Sequence, residues 1–206
     1  MTQQTFYFDS SHYTGCKTCE LACKDYKDLT KDVSFRKVYD YEGGAWEEAA
    51  DGTCTCTSFV YHVSMSCNHC DRPVCATVCP TGAMHKDAET GLVSVDENKC
   101  IGCGYCHMAC PYNAPKVDRT VGHSVKCDGC ADRVAEGKKP ICVEACPLRA
   151  LDFGNAADMT KKGAQGDIAP LPAPSYTGPN LYILSSDDAR PADSLEGSVV
   201  NIMEVM

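Results

Sequence analysis

The sequence predicts an α+β fold with little regular secondary structure, made of two similar halves, an insertion and a long C-terminal arm. Three observations carry that prediction. Seventeen of the 206 residues are cysteines, most of them in four tight sets that alternate between two spacings. The strand candidates are short and stand directly beside those sets. Large apolar side chains are sparse, with one Trp and five Phe, so bound metal is expected to supply much of the folding free energy.

Residues 5–10, Thr-Phe-Tyr-Phe-Asp-Ser, form a short aromatic strand candidate. It leads into the first set, Tyr13-Thr-Gly-Cys16-Lys-Thr-Cys19-Glu-Leu-Ala-Cys23. Ser58-Phe-Val-Tyr-His-Val-Ser64, rich in β formers, precedes the second, Cys67-Asn-His-Cys70-Asp-Arg-Pro-Val-Cys75-Ala-Thr-Val-Cys79-Pro80. A third strand candidate, Gly91-Leu-Val-Ser-Val95, precedes Cys100-Ile-Gly-Cys103-Gly-Tyr-Cys106-His-Met-Ala-Cys110-Pro111. The fourth set is Cys127-Asp-Gly-Cys130 and, after eleven residues, Cys142-Val-Glu-Ala-Cys146-Pro147. Sets one and three share one frame, and sets two and four share C-x2-C, a variable gap and C-x3-C-P. The protein therefore reads as a duplication, with halves opening near residues 5 and 91.

Cys67 follows position 13 by 54 residues, whereas Cys127 follows Cys100 by 27. The first half thus carries an insertion, residues 29–56, holding Phe35, Tyr39, Tyr41, Trp46, Cys54 and Cys56. Its aromatics suit either a loop covering a metal site or a docking surface for a partner. Beyond Phe153 the composition turns to Ala, Gly, Pro and Asp. Pro170, Pro172, Pro174 and Pro179 bar regular elements, and Leu181-Tyr-Ile-Leu184 offers one apolar anchor, so residues 155–206 read as an extended arm.

The cysteines admit three explanations. An odd count cannot pair fully, and Met1-Thr-Gln-Gln-Thr has neither the basic start nor the apolar run of a secretory signal, which argues against disulfides. Zinc favours well-separated pairs of ligands. The spacing C-x2-C-x2-C-x3-C-P instead closes three thiolates on one iron–sulfur cube and sends the fourth to a neighbour. Soft thiolates suit soft iron, and Gly15, Gly102, Gly104 and Gly129 let the loops fold tightly enough to aim amide N–H groups at sulfur. The fold is therefore two ferredoxin-like double-cluster units.

By the crossed rule, and because sets two and three are neighbours in sequence, Cys67, Cys70 and Cys75 join Cys110, and Cys100, Cys103 and Cys106 join Cys79. Sets one and four pair by elimination, giving Cys127, Cys130, Cys142 with Cys23, and Cys16, Cys19, Cys146 with position 13. The outer unit is then residues 1–28 with 118–154, and the inner unit residues 57–117. Tyr13 leaves the last cube one thiolate short. The outcomes are three [4Fe-4S] clusters with a [3Fe-4S] cluster, or a fourth [4Fe-4S] cluster bearing Tyr13, His12 or water, or rescue by Cys54 or Cys56. His62, His69, His85, His107 and His123 are expected at the surface or behind the ligands.

A formal net charge of −9 argues against a nucleic-acid partner. No apolar run approaches the ~18 residues needed to cross a bilayer. No nucleophile, general base or open metal site points to catalysis. A non-catalytic electron carrier is therefore expected, either one subunit of a complex or a free-standing polyferredoxin. A zinc-stabilised scaffold is the reading from another class, separated from both by metal analysis.

The motifs Cys16-Lys-Thr-Cys19-Glu-Leu-Ala-Cys23-Lys-Asp-Tyr26, Ser66-Cys-Asn-His-Cys70, Tyr105-Cys-His-Met-Ala-Cys110-Pro-Tyr112 and Lys126-Cys-Asp-Gly-Cys130, with Arg133 through Cys142, resemble the electron-transfer subunits of the dimethyl sulfoxide reductase family. The resemblance covers residues 5–155, and departs from the family where Tyr13 replaces a cysteine. It implies a four-cluster subunit held between a large molybdopterin catalytic subunit and a quinol-oxidising membrane anchor. The pair from sets one and four would face the catalytic subunit, and the pair from sets two and three the membrane. It also implies membrane association through partners, synthesis in the cytoplasm and, where such complexes are exported, travel with a twin-arginine-bearing partner.

Overall fold

The computed structural model describes residues 2–205. In the first half, strand β1 (Gln4–Asp9) leads through set one to helix α1 (Thr18–Tyr26). Strands β2 (Lys37–Gly43), β3 (Trp46–Glu48), β4 (Cys54–Cys56) and β5 (Phe59–Met65) follow. Set two then carries the single turn α2 (Val74–Thr77), and the half closes with β6 (Met84–Lys86). The second half repeats the order in shorter form. It runs through β7 (Val93–Val95), α3 (Tyr105–Ala109), β8 (Lys116–Asp118), β9 (His123–Val125), α4 (Ala131–Ala135), α5 (Ile141–Glu144) and β10 (Leu151–Asn155). The remainder adds α6 (Ala156–Met159), β11 (Ala164–Gln165), β12 (Leu181–Leu184), β13 (Gly197–Val199) and α7 (Ile202–Val205).

Strand pairing joins the two halves end to start. β1, which opens the first half, pairs antiparallel with β10, which closes the second. β6, which closes the first, pairs antiparallel with β7, which opens the second. Within the halves, β2 pairs with β5 and β8 with β9, both antiparallel. This reciprocal pairing brings the ends of the two halves together and leaves sets two and three between them.

The insertion is largely an extension of one hairpin. Where the second half turns after three-residue strands, the first continues β2 and β5 through seven pairs and adds the small hairpin β3–β4 at the tip. Its inner part is core: Val33, Arg36, Val38 and Tyr41 are buried. The tip is exposed throughout, with Trp46 on β3 facing Cys56 on β4. The span 29–56 is thus neither wholly a surface loop nor wholly a docking face.

The arm is built into both sheets. β12 runs parallel to β1 and also pairs with β11, which gives the order β10-β1-β12-β11, while β13 adds to the free edge of β2. The prolines confine strand structure to short pieces but do not abolish it, since each pairs where the backbone N–H is available. Leu181 and Ile183 pack with Phe6, Phe8 and Phe153 in the main apolar cluster. Phe8, fully buried, meets the Tyr13 ring edge-on at 5.2 Å between centroids. Phe8→Ala should cost about 3–5 kcal/mol and lower the melting temperature of the metal-loaded protein. Leu195→Ala, at a residue 97% exposed, should leave it unchanged.

Candidate metal centre

Left-handed backbone shapes each cysteine loop. Gly15 and Lys17 in set one (φ 67° and 59°) correspond to Gly102 and Gly104 in set three (66° and 78°), and His69 in set two (43°) to Gly129 in set four (73°). One of these turns and two strands point amides at sulfur. Gly129 N–H donates to Cys127 Sγ at 3.4 Å, Ser124 N–H to Cys100 Sγ at 3.3 Å and Met84 N–H to Cys79 Sγ at 3.4 Å.

The fold gathers the cysteines across the sets. α1 packs on α5, which brings set one to set four, and α2 packs on α3, which brings set two to set three. The first contact is reinforced by Lys27, whose ammonium reaches Asp128 at 3.1 Å and Asp132 at 3.2 Å. Burial pushes the Cys23 thiol up, and Cys127, Cys142 and Cys130 lie near enough to add to the shift. Cys75 is pushed up to about 12 by burial, with Cys67, Cys110 and Cys70 adding to it. Cys79, Cys100, Cys103 and Cys106 line one cavity. In the remaining set Cys146 is buried and Cys16 is exposed, while Cys19 contacts Tyr13. Among the described residues no three His, Cys, Asp or Glu side chains are grouped closely enough to hold a single metal ion.

Tyr13 is buried and turned inward, its Oη 3.3 Å from Cys19 Sγ. Burial and the adjacent Cys19 push its phenol well above the usual tyrosine range. His12 turns outward onto Asp9 at 3.0 Å, and Cys54 and Cys56 are exposed on the hairpin tip. Of the side chains weighed for the sixteenth position, Tyr13 is the one the fold presents.

Three buried side-chain nitrogens among the described residues have no hydrogen-bond partner: Arg36 Nε, Asn68 Nδ2 and His69 Nε2. All three belong to donor groups. His69 Nδ1 accepts the Val93 N–H at 2.9 Å, which places the imidazole proton on Nε2, beside Cys127. Burial opposes ionisation of Cys127, yet the His69 imidazole holds that thiol below its usual range. Buried donors without acceptors cost about 1–3 kcal/mol each, so a group rich in acceptors belongs beside them. The sulfides of an iron–sulfur core are such acceptors, and a zinc ion would bring none. The residues present therefore fit iron–sulfur clusters, which supply reversible one-electron storage when bound.

His69 was expected at the surface or behind the ligands; it is fully buried and bridges set two to Cys127 of set four. A legible sign was its place where the other half has Gly129. Arg36 and the arm residues Thr177 and Asn180 carried no motif. Asn180 closes the loop of set two, its N–H donating to Asn68 O and its Nδ2 to His69 O, both at 2.9 Å. Tyr112 Oη and Thr177 Oγ1 meet at 3.1 Å on the same side.

Comparison with known proteins agrees with this chemistry. Residues 58–156 match a family model described as a 4Fe-4S dicluster domain. The sequence is 58% identical to the B subunit of the anaerobic dimethyl sulfoxide reductase of Escherichia coli, over 99% of both proteins. It is 56% identical to the subunit of the same name in Haemophilus influenzae, over the full length of both. A thiosulfate reductase electron transfer subunit of Salmonella typhi is 40% identical, over 74% of this protein and 76% of the relative. The protein belongs to the family of anaerobic dimethyl sulfoxide reductase B subunits, non-catalytic iron–sulfur subunits that transfer electrons.

Proposed function

We propose that this protein holds four clusters in a row and relays electrons from a quinol-oxidising membrane subunit to a large molybdopterin subunit, which reduces dimethyl sulfoxide or a related compound. The order would be Cys100/Cys103/Cys106/Cys79, then Cys67/Cys70/Cys75/Cys110, then Cys127/Cys130/Cys142/Cys23, then Cys16/Cys19/Cys146 with Tyr13. The outer unit (residues 1–28 with 118–154) and the inner unit (57–117) each hold two, and membrane association comes through the partners.

The observation that carries the reading is how exposure is distributed. The two end sets each have one exposed cysteine, Cys103 and Cys16, whereas every ligand of the two middle sets is buried or half-buried. A relay needs access at its ends and insulation between them. Near Cys103, Ile101, Tyr105 and Met108 are exposed, and near Cys16, Leu21 is exposed, apolar surface of the kind found at protein contacts. Among the described residues no helix is long and apolar enough to cross a membrane.

The end cluster beside Tyr13 would be [3Fe-4S]. The Tyr13 hydroxyl is engaged with Cys19 Sγ, and a phenol is a harder ligand than the thiolate it replaces. Tyr13 then covers the corner left without an iron.

Two experiments test these assignments. Cys75→Ser should lower iron by about four atoms per protein, by elemental analysis of anaerobically purified material, while Cys54→Ser and Cys56→Ser should leave it unchanged. Tyr13→Cys should abolish the three-iron paramagnetic signal of the oxidised protein and replace it with a four-iron signal on reduction. Absence of a three-iron signal from the unmodified protein contradicts the assignment.

A further inference from the structure

Arg36 stands just before β2, with 2% of its surface exposed. Its guanidinium donates from Nη1 to the Ser64 carbonyl at 3.3 Å and Ser64 Oγ at 3.1 Å, and from Nη2 to Ser66 Oγ at 3.1 Å. One face lies over the Phe6 ring, 4.8 Å from its centroid. Among the described residues it has no carboxylate partner, although twelve Lys or Arg contacts with a carboxylate are formed. Its Nε proton has no hydrogen-bond acceptor among the described residues. A guanidinium cannot shed its charge inside a protein, and a buried charge without a counter-charge is strongly destabilising. The counter-charge has to come from something beside it.

The neighbours that feel this charge are cysteines of both outer ligand sets. Ser64 Oγ, which accepts from Arg36, also contacts Cys19 Sγ at 3.3 Å. Although burial opposes the charge on Arg36, Cys142, Cys19, Cys127 and Cys23 all favour it. Cys19 belongs to the cluster beside Tyr13, and Cys23, Cys127 and Cys142 to the next one. Arg36 touches the inner unit only through Ser66, the residue before Cys67, and the four cysteines that most favour its charge are all outer ligands.

We propose that Arg36 is a redox-tuning cation shared by the two outer clusters, raising the reduction potential of both relative to the inner pair and so drawing electrons toward the Tyr13 end. Adding one electron to either cluster adds one negative charge beside a fixed positive one in a medium of low polarity, where the attraction is strong. Burial and net charge near a cluster are recognised determinants of its potential. The unpaired Nε–H supplies a hydrogen bond that acts in the same direction. The inference rests on the ligand sets proposed above.

The test is a redox titration of the anaerobically purified protein followed by electron paramagnetic resonance, with couples assigned by one cysteine-to-serine variant in each ligand set. In Arg36→Gln, the reduced-to-oxidised ratio of both outer clusters at a fixed ambient potential should fall at least tenfold, a shift of about 59 mV for a one-electron couple. The inner clusters should move less, and Arg36→Lys should restore the outer potentials. If Arg36→Gln and Arg36→Met fail to hold the outer clusters while Arg36→Lys holds them, the need for charge is equally supported. Unchanged potentials in a fully loaded Arg36→Gln, an equal shift of all four clusters, or loss of the outer clusters in Arg36→Lys overturns the proposal. An unmodified protein without iron defeats the ligand sets instead, so the two failures are distinguishable.

Discussion

The fold depends on a mismatch that protein atoms alone do not resolve. Nine of its seventeen thiols are buried, and among the described residues three buried donor nitrogens have no acceptor. A protein with so few large apolar residues cannot carry that cost through an oversized core. An iron–sulfur core would answer both needs, its iron held by the thiolates and its sulfides offering acceptors to the donors. The strands are short for the same reason. They need only hold the loops in place, because metal binding stabilises what the loops enclose.

Duplication turns this local solution into a directional arrangement. The pairing of β1 with β10 and of β6 with β7 joins each half to the other at both ends, so each proposed cluster pair draws on both halves. His69 then stands between the pairs, in the loop of set two but beside Cys127 of set four. A bulky side chain in left-handed backbone is unfavourable by about 1–2 kcal/mol, and at this position the other half uses Gly129. Such strain persists where surrounding structure fixes it. Here Val93 N–H holds one ring nitrogen and the other faces the cysteine sets.

Much of this was legible in the sequence because cysteine spacing is a geometric statement. The alternation of frames revealed the duplication, and the glycines marked the left-handed turns. Tyr13 stood out as soon as sets one and three were aligned. What was hidden depends on contacts distant in sequence. Arg36 reads as an ordinary charged residue until Ser64 and Ser66 are brought against it, and nothing in its neighbours announces burial. The insertion looked like a loop because its paired strand lies beyond the hairpin tip, at Phe59–Met65. The prolines of the arm hid β12 and β13, whose partners β1 and β2 lie more than 150 residues away in sequence.

The direct measurement of the central claim is the content of iron, acid-labile sulfide and zinc in protein purified without oxygen. The account predicts a brown protein with about fifteen iron atoms and about as many sulfides per molecule, and no stoichiometric zinc. A colourless protein, or one with zinc in place of iron and sulfide, would contradict it.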